Sequence, residues 1–133
     1  MCATGTMAFS RQDSGRRGEA VAASFLRRRG FRILVRNFRL VGGELDLICR
    51  KGAILVFVEV RARANLAFGH PVESITAAKR RHLLRAGLVY LKKMHWEERP
   101  FRFDLVAILW DERGRPKEII HLENCLEGEA DAK

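Results

Sequence analysis

Apolar residues recur at helical spacing in two stretches of this chain and at strand spacing in the others. Val21, Ala22, Phe25 and Leu26 form the buried stripe of a predicted helix from about Gly15 to Arg29, capped by Ser14 and ended by Gly30. FRILVRNFRLV alternates as a strand and is broken at Gly42-Gly43; the runs LDLI and ILVFVEV follow, joined by Arg50-Lys51-Gly52 as a tight hairpin. Thr76 caps a second helix to about Met94, with Leu83, Leu84, Gly87, Leu88, Leu91 and Met94 as its stripe. PFRFDLVAILW is a long strand and EIIHLEN a short final one. The order is helix, three strands, helix, one or two strands. Such an order predicts an α/β domain in which a meander is followed by a crossover helix that adds a parallel strand. Helices then cover both faces of a mixed sheet.

The hairpin carries acids where a buried pair of strands should carry none: Glu44 and Asp46 in the first run, Glu59 in the second, followed by Arg61 and Arg63. An unpaired buried carboxylate is costly. A loop at Lys51-Gly52 sets Asp46 opposite Phe57 and Glu44 opposite Glu59, so Glu44, Asp46, Glu59 and Arg61 share a face. A register slip of two residues leaves that sharing intact. Ile54, Val56, Val58 and Val60 make the other face of the second run wholly apolar. Like charges this close repel, and a divalent cation with a preference for hard oxygen ligands, Mg²⁺ above all, would hold them as carboxylates. Glu19 lies at the edge of the first helix's stripe, either as a dipole complement or facing the same site.

Composition narrows the class. A chain of 133 residues, 47% hydrophobic and 31% charged, fits one soluble domain, and no apolar run is long enough for a bilayer. Residues 1–13 read as a disordered tail without a signal-peptide core, residues 14–126 as the domain, and residues 127–133 as an acidic tail. Cys2, Cys49 and Cys125 are scattered, which argues against a zinc knuckle or disulfide scaffold and for a cytoplasmic protein, with Cys49 in the core. Net charge is +9, unevenly placed: residues 1–93 hold 19 Lys and Arg against 6 Asp and Glu, residues 94–133 hold 6 against 10. The excess points to a polyanionic partner. Lys79, Arg80, Arg81 and Arg85 crowd the second helix beside the acidic strand, where phosphates would be held. His70, in the turn Phe68-Gly69-His70-Pro71, is a candidate phosphate contact or general acid. Arg102 and Asp104 share a strand face and read as an ion pair, and Trp96 and Trp110 as packing residues.

GEAVAASFL at 18–26, GGELDLI at 42–48, FVEVRAR at 57–63, FGHPVESITAAKRRHL at 68–83 and RFDLVAI at 102–108 together resemble the PD-(D/E)XK nuclease superfamily, and within it the YraN family of predicted endonuclease-like proteins. The resemblance implies a restriction-endonuclease-like αβββαβ core related to archaeal Holliday-junction resolvases, which act as homodimers. It implies Asp46 and Glu59 as ligands of Mg²⁺ or Mn²⁺, and Glu19 as a further carboxylate. Arg61 stands where the superfamily pattern has lysine. The implied activity is metal-assisted hydrolysis of a phosphodiester in nucleic acid, DNA first, with Arg63, His70, Lys79, Arg80, Arg81 and Arg85 as nucleic-acid contacts. Arginine supplies charge but cannot act as a base. Arg61 therefore either replaces the lysine beside a metal or, paired with an acid, replaces the metal and leaves a binding module.

Overall fold

A computed structural model describes residues 11–40, 43–67, 69–73 and 75–126. Helix α1 (Arg11–Arg28) precedes strands β1 (Arg32–Leu40), β2 (Gly43–Lys51) and β3 (Ile54–Arg63). A short 3-10 turn, Pro71–Glu73, leads to helix α2 (Ala77–Lys93), then β4 (Phe101–Trp110) and β5 (Pro116–Leu122). The sheet order is β1-β2-β3-β4-β5, with β3 and β4 parallel and the other neighbours antiparallel. This is the expected mixed α/β sheet with a restriction-endonuclease-like core. The connection from β3 through α2 to β4 is the crossover that the parallel pair requires.

Helix α1 starts earlier than the capping signal suggested. Arg11 to Asp13 are already helical, so Ser14 lies inside the helix and not at its N-cap; the rest of the expected 1–13 tail, and the 127–133 tail, lie outside the described residues. Ser14 and the residues before it are all compatible with a helix start, so composition alone does not fix the first turn. The end is as expected. Gly30 takes φ +91°, its N–H donates to the Arg27 carbonyl (3.0 Å), and the Phe31 N–H donates to Leu26 (3.0 Å). That pair of bonds is a Schellman cap, which needs the left-handed conformation glycine adopts freely. The Lys51 ammonium donates to the Arg29 carbonyl beside it. Helix α2 is capped by Thr76, whose hydroxyl accepts the Lys79 N–H at 3.1 Å.

Two apolar layers flank the sheet. Ala22, Ala23 and Leu26 of α1 pack with Leu47, Cys49, Val56, Val58, Val106, Ile108 and Trp110. On the other face Leu83, Ala86, Tyr90 and Leu91 of α2 pack with Leu45, Ile48, Leu55, Phe57 and Phe103. The α2 stripe thus runs through Ala86 and Tyr90, leaving Leu88 and Met94 exposed, contrary to the sequence expectation. Glycine lets α2 approach closely: a Cβ on Gly87 would meet Phe103 Cζ at 2.6 Å. Gly18 does the same for α1, where a Cβ would lie 3.3 Å from the Ala62 Cβ. Arg17 stacks over Trp110 at 5.0 Å, and Trp96 meets Tyr90 edge-on at 6.2 Å, so both tryptophans pack as expected.

The hairpin turn is Gly52-Ala53, with Lys51 opposite Ile54 and Ile48 opposite Phe57. The predicted register is therefore off by two residues. Gly52 has φ +61°, and a Gly-X hairpin turn wants that positive φ at its first central position. Side-chain parity survives such a slip. A second irregularity does not follow from alternation at all. Leu45 and Leu47 are two apart, yet Leu45 packs in the α2 layer and Leu47 in the α1 layer. The strand changes faces at the intervening Asp46. Opposite it on β1, Asn37 sits at φ +55°, between the pairs Arg36↔Leu47 and Phe38↔Leu45.

Arg102 and Asp104 form the expected ion pair, with Nε–Oδ1 at 3.0 Å and Nη2–Oδ2 at 3.2 Å. His121 Nε2 lies 2.7 Å from Asp104 Oδ2, and the Asn124 N–H donates to Oδ1 at 2.9 Å. His121 packs edge-on against Phe25 and Phe31, which places this network in the α1 layer, on the face away from Glu59. No helix among the described residues is long and apolar enough to cross a membrane.

Candidate active site

Glu59 follows Leu55 and Phe57 along the α2-facing side of β3, and its side chain is only 6% exposed. The last registered pair is Leu47↔Val58, so the next step along the ladder brings Asp46 and Glu59 face to face. The paired ladder stops there: the Val60 N–H donates to Asp46 Oδ2 at 2.8 Å. The strand irregularity thus turns the Asp46 carboxyl toward β3 and makes it a main-chain acceptor. From α1, Glu19 reaches the same corner, because Gly18 lies against Val60 and Ala62.

Their electrostatics are coupled through Asp46. Burial, followed by the charge of Asp46, pushes the Glu59 carboxyl up to about 8. Burial and again Asp46 push Glu19 up to about 7, against a hydrogen bond from Asn37 that favours its carboxylate. Asp46 is also raised, by burial first, although the Val60 N–H and Glu59 work in the opposite sense. Asp46 interacts by hydrogen bonding with both glutamates. Asp46 is thus the carboxyl common to two pairs, with Glu19 on one side and Glu59 on the other, and each pair resists full ionisation.

Two cations answer Glu59. Arg61 Nε lies 3.1 Å from Glu59 Oε2, and Lys79 Nζ, from the first turn of α2, lies 3.7 Å from the same oxygen. Arg61 is three-quarters buried and its Nε makes no aligned hydrogen bond, so the contact is one of charge. Arg63 continues along β3 at the rim, Arg80 is half-buried, and Arg81 and Arg85 lie exposed on α2. His70 is engaged inside the protein. Its Nδ1 accepts the Val72 N–H at 3.0 Å, so the ring proton sits on Nε2, which donates to Glu118 Oε1 at 2.8 Å. His70 thereby ties its loop to β5. Glu44 is exposed and pairs with Arg39 at 3.4 Å; only its field reaches Glu19 and Asp46.

Among the described residues no three His, Cys, Asp or Glu side chains lie together as a group that could hold a metal ion. The donor chemistry nevertheless fits a hard divalent cation. Asp46, Glu59 and Glu19 offer only carboxylate oxygens, and burial penalises the charges that such an ion would offset. Sequence reasoning missed Asn37. Its signal was available: asparagine is depleted from strands and tolerates positive φ, and RNF interrupts an otherwise alternating run.

A family model described as "Uncharacterised protein family UPF0102" matches residues 18–108. The chain is similar to a UPF0102 protein of Pelobacter propionicus, 42% identical over 118 residues that cover 87% of this chain and 84% of that one. It is 45% identical to a UPF0102 protein of Pelotomaculum thermopropionicum, across 90% of this chain and 99% of the relative. A UPF0102 protein of Syntrophotalea carbinolica is 40% identical across 91% and 97%.

Proposed function

This chain belongs to the UPF0102 (YraN) family, and on that premise we propose that it is a divalent-metal-dependent nuclease acting on nucleic acid, DNA first. The observation that carries the reading is the placement of Asp46 opposite the buried Glu59 at the end of the β2–β3 ladder, with Glu19 beside Asp46. A domain gains nothing in stability from three carboxyls held this way, whereas raised carboxyls in a charged cleft are what acid–base and metal chemistry use. Asp46 and Glu59 would hold Mg²⁺ or Mn²⁺, with Glu19 beside them, and the bound ion would polarise the phosphate and acidify a water. Glu19, beside Asp46, would be placed to accept a proton from an attacking water. Arg61 offsets the Glu59 charge and leaves proton transfer to the carboxyls. Lys79, Arg80, Arg81 and Arg85 line one helix leading to this corner and suit the phosphates of a strand.

A second reading has its own observation. Arg61 and Lys79 already compensate Glu59, as they would in a nucleic-acid-binding protein that keeps the fold without the chemistry. Incubation with single-stranded, duplex and branched DNA, with and without Mg²⁺, separates the two. The nuclease reading expects metal-dependent cleavage that Glu59→Gln slows at least about 10²-fold. Equal cutting by wild type and variant sinks it. Salt-steep binding without cleavage, retained in Glu59→Gln, supports the binding module.

The raised carboxyls also set a pH signature. A carboxyl whose folded pKa exceeds its unfolded value stabilises the native state fully below the unfolded value, and that contribution is lost as pH rises through the folded one. For Glu19 and Glu59 the loss falls between about pH 4.5 and 8. Mn²⁺ should therefore raise the melting temperature far more at pH 8 than at pH 5, where protons already occupy the site. Differential scanning fluorimetry across pH measures this; a pH-independent shift contradicts it.

A further inference from the structure

We propose that the two cations on Glu59 divide the work: Arg61 is the resident counter-ion of Glu59, and Lys79 is the cation that leaves it to grip the phosphodiester of a bound strand. The assignment rests on the nucleic-acid reading above. Both groups address one oxygen, Glu59 Oε2, at 3.1 and 3.7 Å. If Lys79 turns away, Glu59 Oε2 keeps Arg61 at 3.1 Å, so its departure does not strand Glu59. Arg61 is the buried partner, 26% exposed, and it shares β3 with Glu59. Lys79 is the longer, looser contact, 47% exposed. Its main chain is pinned, because the Thr76 hydroxyl holds the Lys79 N–H, so motion is confined to the four-carbon stem. A compact ammonium on a flexible stem can turn to a phosphate without disturbing the sheet. Arg61, three-quarters buried on β3, would have to leave its buried position to do the same. Glu59 thus has a lysine beside it, delivered from the crossover helix, where its own strand carries arginine.

The test is phosphate contact counted by salt, in EDTA, with a short single-stranded oligodeoxynucleotide and fluorescence anisotropy. Lys79→Gln is expected to lower the slope of log affinity against log salt by about 0.7, one single-strand phosphate contact. Lys79→Arg should retain the wild-type slope. Arg61→Gln should leave the slope unchanged and lower the melting temperature instead. With Mg²⁺ added, Lys79→Gln should slow single-turnover cleavage about 10²-fold, with Mn²⁺ affinity by calorimetry no weaker than wild type. An unchanged slope in Lys79→Gln overturns the proposal, as does a slope lost in Arg61→Gln and kept in Lys79→Gln. Cleavage lost together with Mn²⁺ binding in Lys79→Gln also overturns it, since Lys79 would then only hold Glu59 in place. A wild type that neither binds nor cuts the strand overturns the underlying reading, a failure distinguishable from the others.

Discussion

Asp46→Asn is expected to reduce metal-dependent cleavage by about 10²–10³-fold and, without metal at pH 8, to raise the melting temperature. The two effects share one cause. Burial raises Glu19 and Glu59 first, and the charge of Asp46 raises both further, so removing that charge relieves both. Asparagine keeps an oxygen that can still accept the Val60 N–H, so the strand pairing survives the change. Relief of repulsion on the order of 1 kcal/mol corresponds to a rise of about 3–5 °C in a domain of this size. Single-turnover kinetics and a melting curve on one preparation check both halves. A variant that is inactive and less stable would mean that Asp46 is structural.

Asp104→Ala is expected to cost about 3–5 kcal/mol of folding stability, measured by urea unfolding, because it strands Arg102 and His121 beside an aromatic layer. The Asp104 side chain is fully buried and accepts from the Arg102 guanidinium, His121 and the Asn124 N–H. Burial alone would raise its carboxyl; these donors outweigh burial and hold it below the usual range. A depressed carboxylate contributes stability that is present above its unfolded value and lost as pH falls through the folded one. Acid unfolding of the wild type below about pH 4 should therefore weaken in this variant, whose stability is already missing that contribution. Cleavage chemistry per folded molecule should be unaffected, since Asp104 lies on the far face. The protein thus uses two buried carboxyls in opposite ways: donors hold Asp104 below the usual range, while burial raises Glu59 despite its two cations.

Periodicity made most of this architecture readable. The helices and strands follow from spacings of three to four and of two, and the crossover follows from their order. Parity brought Asp46 and Glu59 together even though the turn was misplaced, because Gly52 and not Lys51 opens the loop. What parity could not show is the change of face at Asp46, opposite which Asn37 adopts positive φ on the neighbouring strand. The α2 stripe was misread because leucine and methionine outrank alanine and tyrosine in apolar pattern, yet Leu88 and Met94 point outward. Partners distant in sequence, such as His70 with Glu118 and Lys79 with Glu59, leave no local signal. Arg61 could be flagged from its motif position, but only the fold supplies the second cation that gives it a rival.

The close approach of Gly18 to Ala62 has a consequence for how such a site can vary. The span between α1 and β3 is set by two small residues, neither of which carries charge. A larger residue at position 18 would widen the mouth of the corner while leaving every carboxyl in the chain. A change at position 19 would alter its reactivity while leaving the width as it is. Aperture and chemistry are therefore separate dials on adjacent residues, and divergence among such proteins can turn one without the other.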